Sequence, residues 1–96
     1  MAALSKNEIQ EKLRELPGWS HMGKSLHKKY TLKSFMPVIN LVNKIAAVAE
    51  KEQHHPDITI NYNILTIALS THSEGGVTQK DFDLARQIDR LASEPA

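Results

Sequence analysis

No cysteine occurs among the 96 residues. That absence excludes a disulfide framework, a thiol nucleophile and a thiolate metal site, and it fits a chain kept in a reducing cytoplasm. An excess of one charge is also missing. Twelve Lys and Arg stand against eleven Asp and Glu, for a formal net charge of +1, which builds no basic field of the kind that draws nucleic acid. No apolar run approaches the ~20 residues of a membrane-spanning helix. Lys6, Glu8, Glu11, Lys12, Arg14 and Glu15 interrupt the stretch in which a signal peptide would carry its apolar core. Gly75-Gly76 lacks the following Lys and Ser or Thr of a phosphate-cradling loop, and there is no Gly-x-Ser-x-Gly elbow. Nucleotide-dependent and acyl-transfer chemistries therefore drop away. What is present, 41% hydrophobic and 24% charged residues, is the composition of one folded domain spanning residues 1–96. A core of this size is modest, which favours association with further copies of the chain.

The periodicities predict seven elements. Ser5 with Glu8 forms a capping box and Leu4 with Ile9 a hydrophobic staple, opening a helix whose stripe is Ile9, Leu13 and Leu16 and which stops at Pro17-Gly18. A hairpin follows: Trp19 to Met22, a turn at Gly23-Lys24, then Leu26 to Leu32 with Leu26, Tyr30 and Leu32 on one parity. Lys28 interrupts that face, which predicts an edge strand reaching water or a bulge. Ser34 caps a long helix with Pro37 in its first turn and Phe35, Val38, Ile39, Val42, Ile45, Ala46 and Ala49 on its apolar face. It should end near Gln53, because His55 precedes Pro56 and is pushed out of the helical region. Ile58, Ile60 and Tyr62, a turn near Asn63, and Leu65, Ile67, Leu69 and Thr71 predict a second hairpin. Thr78 and Asp81 form another capping box ahead of a helix burying Phe82, Ala85, Ile88 and Leu91 or Ala92, with Ser93 to Ala96 fraying. The order αββαββα suits an α+β two-layer sandwich, a four-stranded antiparallel sheet with three helices on one face.

Three of the five histidines, His54, His55 and His72, fall at element ends rather than on apolar stripes. A hairpin between them would bring His72 back beside the other two. Glu50 precedes His54 by about one helical turn, and Asp81 lies just beyond the loop that follows His72. Imidazoles beside carboxylates suit proton transfer in both directions near neutrality. Bland readings stand next to this one. Asp81 serves its capping box in any case, Glu50 belongs to the solvated run Glu50-Lys51-Glu52, and His54 could cap the helix C-terminus. His21 and His27 read as strand surface. A metal site is disfavoured by spacing, since adjacent His54 and His55 in extended chain point to opposite sides.

The segments Glu50-Lys51-Glu52-Gln53-His54-His55-Pro56-Asp57-Ile58, Tyr62-Asn63, Leu69-Ser70-Thr71-His72, Gly76-Val77-Thr78 and Asp81 resemble the pterin-4a-carbinolamine dehydratase family. The resemblance runs from Gly18-Trp19 to the last helix. It implies the same two-layer fold and a lyase that removes water from 4a-hydroxytetrahydropterin, the product of aromatic amino acid hydroxylases, to give quinonoid dihydropterin. It also implies homodimers or homotetramers that need neither a metal nor an organic cofactor. By that resemblance His54 and His72 exchange protons on opposite sides of the ring, His55 binds and positions the pterin, Glu50 and Asp81 support the site through hydrogen bonds, and Trp19 matches an aromatic position near the pocket. The bland reading of Trp19 as a core or rim residue remains beside it.

Ile58 stands where animal members of the family tend to carry an aromatic residue, and the segment through Tyr62 looks more like the microbial branch. This puts in doubt the transcription-factor dimerisation role of animal members. Two functions remain open: the dehydratase, and a non-catalytic pterin-binding or dimerisation module of the same fold. The joint presence of His54, His55, His72, Glu50 and Asp81 favours the first.

Overall fold

Ser5 opens helix α1 (Lys6–Leu13) with the expected capping box, its hydroxyl accepting from Glu8 N–H while the Glu8 carboxylate accepts from Ser5 N–H. Those two bonds hold the Glu8 carboxyl below its ordinary pKa. The structure is a computed structural model that describes residues 2–95. Leu16 is buried, as the stripe predicts, but it lies in the turn after α1, which closes three residues earlier at Leu13.

Strands β1 (Ser20–Met22) and β2 (Ser25–Thr31) form the first hairpin, and β3 (Asp57–Asn61) and β4 (Ile64–Leu69) the second. All pairings are antiparallel and the strands lie in the order β1-β2-β4-β3. Strand β2 therefore lies inside the sheet, which corrects the expectation of an edge strand, although β1 pairs only as far as His27 and Lys28 is paired with β4 alone. Its side chain shares the helix-facing parity of Leu26 and Tyr30, and it is tolerated there because Asp89 meets it at 2.8 Å. Tyr62 also departs from expectation. It sits in the β3–β4 turn at φ 52, 62% exposed, rather than on the strand face.

Helix α2 (Phe35–Glu52) begins at Ser34, though the Ser34 side chain makes no capping bond. Its buried face is Val38, Leu41, Ile45 and Ala49, rotated from the expected stripe: Leu41 joins the core while Phe35 and Ala46 face out. The helix was expected to end near Gln53, and Gln53 closes it in the left-handed conformation at φ 50. Helix α3 (Gln79–Ala92) starts from the Thr78–Asp81 capping box and buries Phe82, Leu84, Ala85 and Ile88. These meet Leu26, Leu65, Ile67 and Leu69, all fully buried on one parity of the sheet. Each such side chain contributes roughly 1.5–3 kcal/mol on burial. The result is the α+β arrangement expected, helices on one face of a four-stranded antiparallel sheet. Among the described residues no helix is long and apolar enough to cross a membrane.

Candidate active site

The end of α2, the start of β3 and the end of β4 meet at one corner of the sheet, and strand parity divides what they carry. Asp57 pairs with Ala68 on the side away from the helices. Beyond β4 the chain passes Ser70 and enters a 3-10 turn at His72–Glu74. His55, Asp57, Ala68, Ser70 and His72 line a groove of about 240 Å³. That is smaller than the ~300–1,000 Å³ of pockets for drug-sized ligands and suits a compact ring. His55 turns its Nε2 to Glu50 Oε2 at 2.5 Å, so the last turn of α2 holds this ring from behind. The histidine and the carboxylate are both largely exposed.

Asp81 collects the residues of the opposite parity. Left-handed Gln53 turns the chain so that His54 N–H bonds to Ala49 C=O at 3.1 Å, and the His54 ring points to α3. There its Nε2 lies 2.5 Å from Asp81 Oδ1. Asp81 is fully buried, and its Oδ2 accepts from the Thr71 hydroxyl at 2.9 Å and from Thr78 N–H at 2.8 Å. Thr71 and Thr78 share a further hydrogen bond of 2.7 Å. Burying a carboxylate is costly unless its oxygens find donors, and each oxygen here has at least one.

The structure thus brings His55 and His72 into one groove, and ties His54 to Asp81 and His55 to Glu50. It does not place His54 in the groove lining. His54 borders a neighbouring cleft of about 210 Å³ with Glu52, Lys80, Asp83, Leu84 and Gln87. Its side chain keeps 11% of its surface exposed. Nor does the structure bring Trp19 to the histidines. Trp19 is buried, and its indole N–H donates to Asp89 Oδ2 at 3.0 Å, because that carboxylate is the acceptor within reach in the core. Asp57, Ser70, Thr71 and Thr78 were not singled out from the sequence as site residues. Two-residue periodicity was the signal available within the strands: Asp57 pairs with Ala68, and counting on from Ala68 gives Ser70. Among the described residues no three or more His, Asp or Glu side chains are grouped to hold a metal.

A second carboxylate of α3 forms a different cluster. Asp89 Oδ1 accepts from Lys28 Nζ at 2.8 Å and from the Tyr30 hydroxyl, and Oδ2 takes the Trp19 indole. The Lys28 ammonium stands 4.8 Å from the centre of the Tyr30 ring and 5.9 Å from that of Trp19. It also donates to Pro17 C=O at 3.2 Å. Gly18 lets the lysine pass, since a Cβ there would come within 2.9 Å of Lys28 Cε. Burial first, and Asp89 second, push the Tyr30 phenol well above its ordinary pKa.

Known proteins agree with this fold. The family model described as pterin 4 alpha carbinolamine dehydratase matches residues 2–91. Two similar relatives, each named "Putative pterin-4-alpha-carbinolamine dehydratase", come from Sulfolobus acidocaldarius and Thermomicrobium roseum. The first is 44% identical over 92% of this chain and 97% of its own length. The second is 44% identical over 97% of this chain and all of its own. A crystal structure described as a transcriptional coactivator/pterin dehydratase from Brucella melitensis overlays with a TM-score of 0.91 at 33% identity, covering 95% of this chain and 99% of that one. A pterin dehydratase-like protein described as a RuBisCO assembly factor in the alpha-carboxysome overlays at 0.66 with 19% identity, over 80% of this chain and 89% of its own, and shares the fold alone. With a family model spanning nearly all of its length, this chain belongs to the pterin 4 alpha carbinolamine dehydratase family.

Proposed function

We propose that this chain removes water from 4a-hydroxytetrahydropterin to give quinonoid dihydropterin. The observation that carries the reading is the groove shared by His55 and His72, with Glu50 holding His55 and Asp81 holding the adjacent His54. The reaction breaks the bond between the 4a carbon and its hydroxyl oxygen. The hydroxyl takes a proton from an imidazolium and leaves as water, while the neighbouring ring nitrogen gives its proton to a second imidazole. The electron pair of that N–H becomes the new carbon–nitrogen double bond, so one proton is delivered, one is recovered, and only water is lost.

In this reading the ring sits at the groove, with His54 and His72 as the two proton carriers on its opposite sides. His55, braced by Glu50, positions the pterin, and Asp81 orients His54. Trp19 stands apart from the ring in this reading, its indole N–H donated to Asp89. The finer setting follows the same reading: recycling of the cofactor of an aromatic amino acid hydroxylase in the cytoplasm, by a homodimer or homotetramer. Exposed Phe35, Met36, Ile60 and Tyr62 support self-association, since a chain alone leaves these large apolar side chains in water.

The test follows the ultraviolet progress curve of enzymatically generated 4a-hydroxytetrahydropterin, with and without the protein and with a His54→Ala, His72→Ala double variant. Faster appearance of quinonoid dihydropterin with the natural chain, lost in the double variant, is expected. A folded natural chain that binds pterin yet leaves the curve at the buffer rate would instead make it a binding module.

A further inference from the structure

The two histidines assigned to proton transfer are joined through one buried hydroxyl. Thr71 immediately precedes His72 in the chain, and its side chain points the other way, into the core, where Thr71 is 7% exposed. There it meets the carboxylate that holds His54. We propose that Thr71 is a positioning residue of this site: its hydroxyl fixes the Asp81 carboxylate so that His54 keeps a proton on Nε2 and exchanges protons with the substrate through Nδ1. The inference deepens the dehydratase reading and rests on it.

The directions of the hydrogen bonds carry the argument. Thr71 has one hydroxyl proton, and it goes to Asp81 Oδ2. The 2.7 Å contact between the two threonines must then use the Thr78 proton, with Thr71 Oγ1 accepting. Thr78 Oγ1 in turn accepts from Lys80 N–H at 3.2 Å. The chain runs one way, from the first turn of α3 through Thr78 and Thr71 to the carboxylate, and bonds aligned in this manner polarise one another. Oδ2 also takes Thr78 N–H, so it is occupied twice, and Oδ1 is the oxygen left for the imidazole. An acceptor at Oδ1 assigns the His54 proton to Nε2, leaving Nδ1 as the atom with a free lone pair.

Removing the hydroxyl should therefore act on His54 while the backbone around Thr71 stays in place. The Thr71 backbone stays tied by Thr71 N–H to Gly76 C=O at 2.8 Å and by Glu74 N–H to Thr71 C=O at 3.0 Å. The charged groups around the His54 ring are Asp81, Lys80 and Asp83 of α3 and Glu52 of α2, and none is altered by a change at Thr71.

The experiment has two arms. Nitrogen-resolved magnetic resonance of the natural chain reads the His54 ring directly: a protonated Nε2 and an unprotonated Nδ1 are expected at alkaline pH, and the opposite tautomer would overturn the inference without any variant. The second arm measures kcat and KM across pH for Thr71→Val and Thr71→Ser. Thr71→Val should lower kcat with KM nearly unchanged, move the His54-dependent limb of the profile and mix the two tautomers, while Thr71→Ser restores all three. A Thr71→Val profile that keeps its shape, with the His54 signals unmoved, would overturn the inference whether its rate is normal or uniformly lower. A natural chain without dehydratase activity would sink the underlying reading, whereas an active natural chain with a silent Thr71→Val would sink this inference alone.

Discussion

Helix α3 offers two carboxylates, Asp81 in its first turn and Asp89 two turns further on, and each gathers three donors from other parts of the chain or the helix cap. Asp81 is fully buried, its partners are two neutral groups and an imidazole, and that imidazole borders a cleft. Asp89 is partly buried, and its partners are a phenol, an indole and the Lys28 ammonium. Only the first cluster contains a side chain type that ordinarily gains and loses a proton near neutrality. The contrast teaches that a carboxylate with satisfied oxygens does not by itself mark a site of chemistry. What marks it is a partner that can titrate and an opening beside it.

The largest effect should follow Asp81→Ala. The change strands three buried partners, the Thr71 hydroxyl, Thr78 N–H and the His54 ring, and should cost about 3–5 kcal/mol at roughly 1–3 kcal/mol for each orphaned group. Urea unfolding reads that loss, and dehydration at temperatures where the variant stays folded should slow by ~10²-fold or more. Asp89→Ala comes next, with a loss of about 2–3 kcal/mol from three orphaned donors and an unchanged kcat/KM. If the two variants lost activity alike, the division of α3 into a chemical and a structural half would be broken.

Tyr30 sharpens the comparison by pH. Its phenol is raised in the folded chain by burial and by Asp89. Above the ordinary tyrosine pKa of ~10 the unfolded chain gives up a proton that the folded chain retains, so stability should fall as pH rises through that range. Tyr30→Phe should flatten the alkaline limb of the stability curve. In a Tyr62→Phe background, where Tyr30 is the remaining one of the two tyrosines, phenolate absorbance should appear only together with unfolding. Its appearance in the folded protein would contradict the account. The smallest effect is expected for Lys28→Met, about 1 kcal/mol, because methionine packs where the lysine stem lay and the partly exposed Asp89 carboxylate keeps its Tyr30 and Trp19 donors and its access to water.

Much of this architecture is readable from residue order alone. Ser5 with Glu8 and Thr78 with Asp81 announce both capping boxes, and the alternation of Leu65, Ile67 and Leu69 announces the buried face of β4. Lys28 is not readable in the same way, because period-two counting shows a charge on an apolar face but not the partner that neutralises it 61 residues later. The face of α2 is also ambiguous. The helix is apolar on more than one side, and packing against the sheet and α3, rather than periodicity, selects Leu41 over Phe35 for the core. At the site, the histidines and their carboxylates stand out by residue type, whereas Thr71 does not. A threonine at the end of a strand looks like an ordinary strand residue until α3 brings Asp81 against it.

The most direct test of the central claim sets His54→Ala beside Lys28→Met, one change in each cluster, and measures kcat/KM for quinonoid dihydropterin formation together with the unfolding free energy of each. The account predicts that His54→Ala loses ~10²-fold or more in kcat/KM while remaining folded, and that Lys28→Met keeps the rate of the natural chain. A His54→Ala variant as fast as the natural chain, or a Lys28→Met variant equally disabled, would contradict it.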